Sequence, residues 1–89
     1  MKTYLLAMSS LTLATKAQRI LQGASIPAAV VKTPASLSPR GCSNSVKVSA
    51  VVFKRSKNLL ERNGIRYLKL FASDDGLRYK EVYNGGNLL

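Results

Sequence analysis

The residue best suited to chemistry is the chain's one cysteine, Cys42, in the run Ser38-Pro39-Arg40-Gly41-Cys42-Ser43-Asn44-Ser45. A thiol attacks sulfur or carbon electrophiles as the thiolate, a form that nearby positive charge favours. Arg40 supplies such a charge two residues away, and Gly41 lets the backbone bend and leaves the sulfur uncovered. Ser43, Asn44 and Ser45 keep the surroundings polar. The pattern suits a thiol offered on a loop. A free cysteine is also a small apolar residue that packs well against a sheet, so the residues alone leave both readings of Cys42 open. With one cysteine, neither an internal disulfide nor a Cys-x-x-Cys pair nor a zinc site can be assembled, and any chemistry of Cys42 needs an external partner. That usage suits a reducing, cytoplasmic compartment.

Other catalytic arrangements are missing. There is no histidine, which removes the commonest general acid/base and the commonest metal ligand. Asp74 and Asp75 are adjacent and serve a turn, while Glu61 reads as a surface ion-pair partner on a helix. Ser36 and Ser38 have no paired base to activate them. The glycines form neither a dinucleotide fingerprint nor a phosphate loop. No metal and no organic cofactor is implied. The 89-residue chain is read as a single domain, residues 1–83, followed by a flexible tail, 84–89, and not as an enzyme.

Charge is the second outlier. Fourteen Lys and Arg oppose four Asp and Glu, for a net charge of +10, and the first acid is Glu61. Such a field attracts polyanions and acidic protein surfaces. The tightest basic cluster is Lys54-Arg55-x-Lys57, the candidate partner-docking residues. Tyr67, Phe71, Tyr79 and Tyr83 gather near the C-terminal end. The glycine-aromatic run of RNA-recognition domains does not occur, so these aromatics read as core or edge packing. The opening Lys2 and Tyr4–Met8 superficially resemble an export signal, but Ser9, Ser10 and Thr12 break the apolar run and the continuation reads as structure. No apolar stretch approaches the ~20 residues that span a bilayer.

The elements that must position these residues follow from periodicity. Thr3–Met8 is a strand, and Ser9-Ser10 offers helix-capping oxygens. Leu13, Ala17, Ile20, Leu21 and Ala24 then mark one face of a helix that Gly23 ends. Ile26–Lys32 is a second strand, opened by Pro27, and residues 33–45, rich in Pro and Ser, are a loop. Val46–Val51 alternates as a third strand. Val52–Asn63 is a second helix with Val52, Leu59 and Leu60 inward, ended by Gly64, and Ile65–Ala72 is a fourth strand. Asp75-Gly76 predicts a two-residue hairpin turn into a last strand, Leu77–Tyr83. The segment Ile20-Leu-Gln-Gly-Ala-Ser-Ile26 echoes Leu59-Leu-Glu-Arg-Asn-Gly-Ile65. Two β-α-β halves predict an α+β fold, a ferredoxin-like split β-α-β sandwich with an extra C-terminal strand that widens the sheet or pairs with a second copy as a homodimer.

Over residues 4–70 the chain resembles the selenium/sulfur carrier protein-like family of small bacterial domains. The Ala17-Gln-Arg-Ile-Leu-Gln22 helix end, the segment Ile26-Pro-Ala-Ala-Val-Val-Lys-Thr33-Pro34, and Ser38-Pro-Arg-Gly-Cys42 ahead of a strand carry the resemblance. It implies that Cys42 is the carrier atom, with Ser38 and Gly41 shaping its loop. Family members commonly place glycine after the cysteine, whereas here Ser43 follows and Gly41 precedes. The expectation is a sulfur or selenium carrier that accepts a persulfide on Cys42, stabilised by Arg40, from a donor protein and relays it to an acceptor. The alternative is a non-enzymatic basic adaptor that binds RNA (tRNA included) or an acidic protein and uses Cys42 structurally.

Overall fold

A computed structural model describes residues 2–34, 37, 44–84 and 87–88. In chain order these form β1 (Thr3–Met8), α1 (Leu11–Gly23), β2 (Ala29–Lys32), β3 (Asn44–Ser49), α2 (Ala50–Arg62), β4 (Lys69–Ser73), β5 (Lys80–Asn84) and β6 (Asn87–Leu88). The fold is α+β. Among the described residues the strands make one sheet in the order β2-β3-β1-β4-β5-β6, every neighbouring pair antiparallel.

Strand alternation sends successive side chains to opposite faces of the sheet. Leu6 and Met8 of β1, Val46 and Val48 of β3, and Leu70 of β4 join Ala14, Ala17 and Leu21 of α1 and Leu60 of α2 in the main core. Both helices therefore cover one face. Ala14, absent from the face read in the sequence, is fully buried there. Tyr4 stacks on Phe53 of α2, with ring centroids 4.2 Å apart, a packing that contributes beyond area alone. The opposite face carries a smaller cluster of Leu5, Ala7 and Phe71, covered by Val31, Leu37 and Tyr79.

The two helices begin and end differently. Ser10 caps α1, its Oγ accepting the Leu13 N–H at 3.1 Å, whereas Ser49 at the start of α2 makes no side-chain cap bond. The C-terminal ends repeat one geometry. Ile26 N–H donates to the Leu21 carbonyl and Ile65 N–H to the Leu60 carbonyl, each at 2.9 Å. The left-handed residue that this geometry requires is Ser25 (φ 62°) after α1 and Gly64 (φ 71°) after α2. Gly23 is the last helical residue and does not supply the turn, a correction to the sequence reading.

Four boundaries move. The second strand begins at Ala29, because Ile26 closes α1 and the Ala28 carbonyl accepts from Gln18 Nε2 at 3.2 Å. The third strand starts at Asn44 and ends at Ser49, and Val51, expected inside a strand, is 84% exposed on α2. The helical face of Val52, Phe53, Ser56 and Leu60 overrides β-propensity there. The fourth strand shortens to Lys69–Ser73, since Ile65 caps α2. The two-residue turn at Asp75-Gly76 is replaced by a longer one. Asp75 Oδ1 accepts the N–H groups of Leu77 and Arg78 at 2.8 and 2.9 Å, and Ser73 Oγ accepts that of Gly76 at 2.8 Å. The Arg78 and Leu77 backbone donors and the Ser73 hydroxyl pull the Asp75 carboxyl down to about 2. Strand pairing resumes only at Lys80. Beyond it, Asn87–Leu88 pairs with Tyr83–Asn84, so two strands rather than one extend the sheet, and residues 87–88 of the expected tail are a strand.

Candidate functional site

The connection between β2 and β3 holds the cysteine run. Cys42, Ser38, Arg40 and Gly41 lie outside the described residues; what the structure defines is the base from which their segment springs. Lys32 pairs with Asn44, and Asn44 with Met8, so the segment leaves and rejoins the sheet where β1 ends. The next residues along lock the neck. The Thr33 and Ser45 hydroxyls, both buried, share a hydrogen bond of 2.6 Å. A buried pair of this kind has no water to replace a lost partner, so the two strands are tied where the segment begins. Ser45 drew notice in the sequence only as one of several polar neighbours of Cys42; its signal was its place opposite Val31 in the strand register.

From the neck the chain turns over the sheet. Leu37 N–H donates to the Pro34 carbonyl at 2.9 Å, and the Leu37 side chain packs on Leu5, Ala7 and Phe71. Pro34 and Leu37 meet Leu77, Arg78 and Tyr79 around a shallow cleft of about 240 Å³. Burial of the Tyr79 ring, and then the charge of Asp75, raise the Tyr79 hydroxyl above its ordinary value. Five aromatics pack in the cores: Tyr4, Phe53 and Tyr67 on the helix-covered side, Phe71 and Tyr79 on the other.

The expected docking residues stand on α2 and are not equivalent. Lys54 and Arg55 are exposed. Lys57 is half-buried and engages Glu61 at 3.9 Å across one helical turn, a surface pair of small worth. Because β3 runs away from the neck, α2 starts at the far end of the sheet and returns towards it. Lys54 is eight residues before Arg62, which places it about 12 Å further from the neck along the helix axis. No group of His, Cys, Asp and Glu suited to a metal occurs among the described residues, and no described helix is long and apolar enough to cross a membrane.

A small α+β domain whose inter-strand segment carries its single cysteine matches a known class. Residues 3–72 match the family described as "Putative Se/S carrier protein-like", and the chain belongs to that family. The match ends within β4, at Ala72, leaving β5 and β6 beyond it. Comparison with curated proteins and with solved structures returned no match.

Proposed function

We propose that the protein is a sulfur or selenium carrier that holds the transferred atom on Cys42. The observation that carries this reading is membership of a family described by Se/S carriage in a chain with one thiol, so thiol-borne carriage has a single sulfur to use. Cys42 is two residues from Asn44, whose backbone is fixed in β3, and two residues of chain reach at most about 7 Å. The Thr33–Ser45 lock supports the reading further by anchoring that reach to the sheet.

The relay needs no oxidant. The Cys42 thiolate attacks the terminal sulfur of a donor persulfide; a new sulfur–sulfur bond forms, the donor's breaks, and the electron pair leaves on the donor thiolate. An acceptor thiolate then repeats the exchange on the outer sulfur and releases Cys42. The sulfane atom keeps its oxidation state throughout. Arg40 stabilises the anionic outer sulfur, and Ser38 and Gly41 shape the loop. The chain turns nothing over alone: it is a carrier between a donor and an acceptor protein in the cytoplasm, not an enzyme.

The same reading takes the architecture as a ferredoxin-like split β-α-β sandwich. The order β2-β3-β1-β4, with a helix after β1 and another after β3, supports it. A second reading, the basic adaptor for RNA or an acidic protein, draws support from the net charge of +10 and the exposed Lys54 and Arg55. A Cys42→Ser variant separates the two, since an adaptor keeps its partner and its steep salt dependence without the thiol.

The deciding experiment is an intact-mass spectrum of the folded protein after incubation with a cysteine desulfurase, cysteine and pyridoxal phosphate. The expected result is a reducible gain of about 32 Da, one sulfur atom, that Cys42→Ser abolishes. No gain, with the thiol titratable only after unfolding, means a buried structural cysteine and overturns the carrier reading.

A further inference from the structure

The topology gathers a distinct set of side chains at the end of the sheet from which the cysteine segment springs. β2 ends there at Lys32, α1 begins at Leu11, and α2 ends at Arg62. The approach to β4 passes Arg66 and Leu68, and the Leu68 N–H donates to the Ala7 carbonyl at 2.7 Å, which ties this approach to the end of β1. Lys32, Arg62 and Arg66 are exposed. Leu11 is 56% and Leu68 51% exposed, two of the four large apolar residues that the described surface leaves in water.

The charges at this end are unbalanced. The four acids are engaged elsewhere or locally: Glu61 with Lys57, Glu81 with Lys69 at 3.4 Å, Asp75 with its own turn, and Asp74, which also has a partner, just after β4 at the opposite end of the sheet. Among the described residues Lys32, Arg62 and Arg66 have no ion pair. Arg62 also complements the C-terminal dipole of α2, but that role does not need Lys32 or Arg66. Three free cations beside two exposed leucines form a mixed surface whose complement is acidic and apolar.

We propose that this end of the sheet, Leu11, Lys32, Arg62, Arg66 and Leu68, docks an acidic, leucine-bearing segment of a partner protein. The inference rests on the carrier reading for its purpose: a partner seated here lies at the end of the sheet where the Cys42 segment leaves and rejoins it. It moves the docking site from Lys54, Arg55 and Lys57 to the near end of the molecule. A protein fits better than a nucleic acid, because single-stranded nucleic acid is held by aromatic platforms and five aromatics, Tyr4, Phe53, Tyr67, Phe71 and Tyr79, are committed to the two cores.

The test uses the full-length ¹⁵N-labelled chain titrated with a synthetic amphipathic peptide of glutamate and leucine, alongside an oligouridylate. Expected are saturable amide shifts at Leu11, Lys32 and the Arg62–Leu68 segment. The triple variant Lys32→Glu/Arg62→Glu/Arg66→Glu weakens peptide binding about 10-fold or more, and Leu11→Ser/Leu68→Ser weakens it by about 5-fold. Lys54→Glu/Arg55→Glu changes it by less than about 3-fold, and thermal melts show each variant folded. Shifts centred on Lys54 and Arg55, or no saturable binding, overturn the proposal. So does tighter binding of the oligouridylate at the same residues, untouched by the leucine changes. Loading of Cys42 by inorganic polysulfide, which needs no docking, is run in parallel. Loading without peptide binding removes the docking surface alone, and peptide binding without loading removes the carrier reading alone.

Discussion

Thr33 and Ser45 stand at the two ends of the segment that carries Cys42, and their 2.6 Å bond is buried. Removing one hydroxyl strands the other in a site closed to water, at a cost of about 1–3 kcal/mol. Thr33→Val and Ser45→Ala should each destabilise by that amount, and the double variant by clearly less than the sum. A denaturant-unfolding cycle checks this; strict additivity means that the hydroxyls are satisfied independently. Thr33 was visible in the sequence through the Thr-Pro element of the resemblance. Ser45 was not, because a serine in the run Ser43-Asn44-Ser45 looks like solvent-facing loop until the strand register turns it inward.

At the scale of the elements, the echo between Ile20–Ile26 and Leu59–Ile65 is a repeated way of ending a helix. Ser25 stands where Gly64 stands, in the left-handed region that costs an L-residue about 1–2 kcal/mol. No neighbouring atom comes within 4 Å of a Cβ built on Gly64, so the backbone alone sets the penalty there. Gly64→Ala should cost about 1 kcal/mol, and Ser25→Gly should stabilise by up to about 1 kcal/mol, the gain trimmed by the greater freedom of glycine in the unfolded chain. Thermal or denaturant unfolding reads both; a destabilising Ser25→Gly means that the serine side chain offsets the strain. The sequence showed the echo but assigned the first turn to Gly23, because a glycine is the stronger local signal. The chain instead carries α1 through Gly23 and turns two residues later, where Ile26 can reach the Leu21 carbonyl and the core.

The whole molecule is a sheet used on both sides. One side lies under two helices, and the other holds Leu5, Ala7 and Phe71 beneath Leu37 and Tyr79. Phe71 is 2% exposed with no described helix above it, and among the described residues its cover includes Leu37 of the segment leading to Cys42 and Tyr79 just before β5. Phe71→Ala should therefore destabilise the fold by about 3–5 kcal/mol and loosen Leu37, read as faster exchange of its amide. Unchanged exchange at Leu37 with the same loss of stability means that the segment is held by Thr33 and Ser45 alone. This arrangement links the second core mechanically to the cysteine segment.

Periodicity and composition determined the elements through β5 and their order, but not β6: the apolar strand of β1, the inward stripes of α1 and α2, the Ser10 cap, the +10 charge and the lone thiol are local properties of the residues. Strand boundaries and the neck depended on pairing. Whether Ala28 joins a ladder or serves Gln18, whether Val51 faces in or out, and where strand pairing resumes after Asp75 are choices between local options of similar energy. Contacts distant in sequence make those choices. The gathering of Leu11, Lys32, Arg62, Arg66 and Leu68 at one end is likewise a property of antiparallel order, since 57 residues separate the first of them from the last.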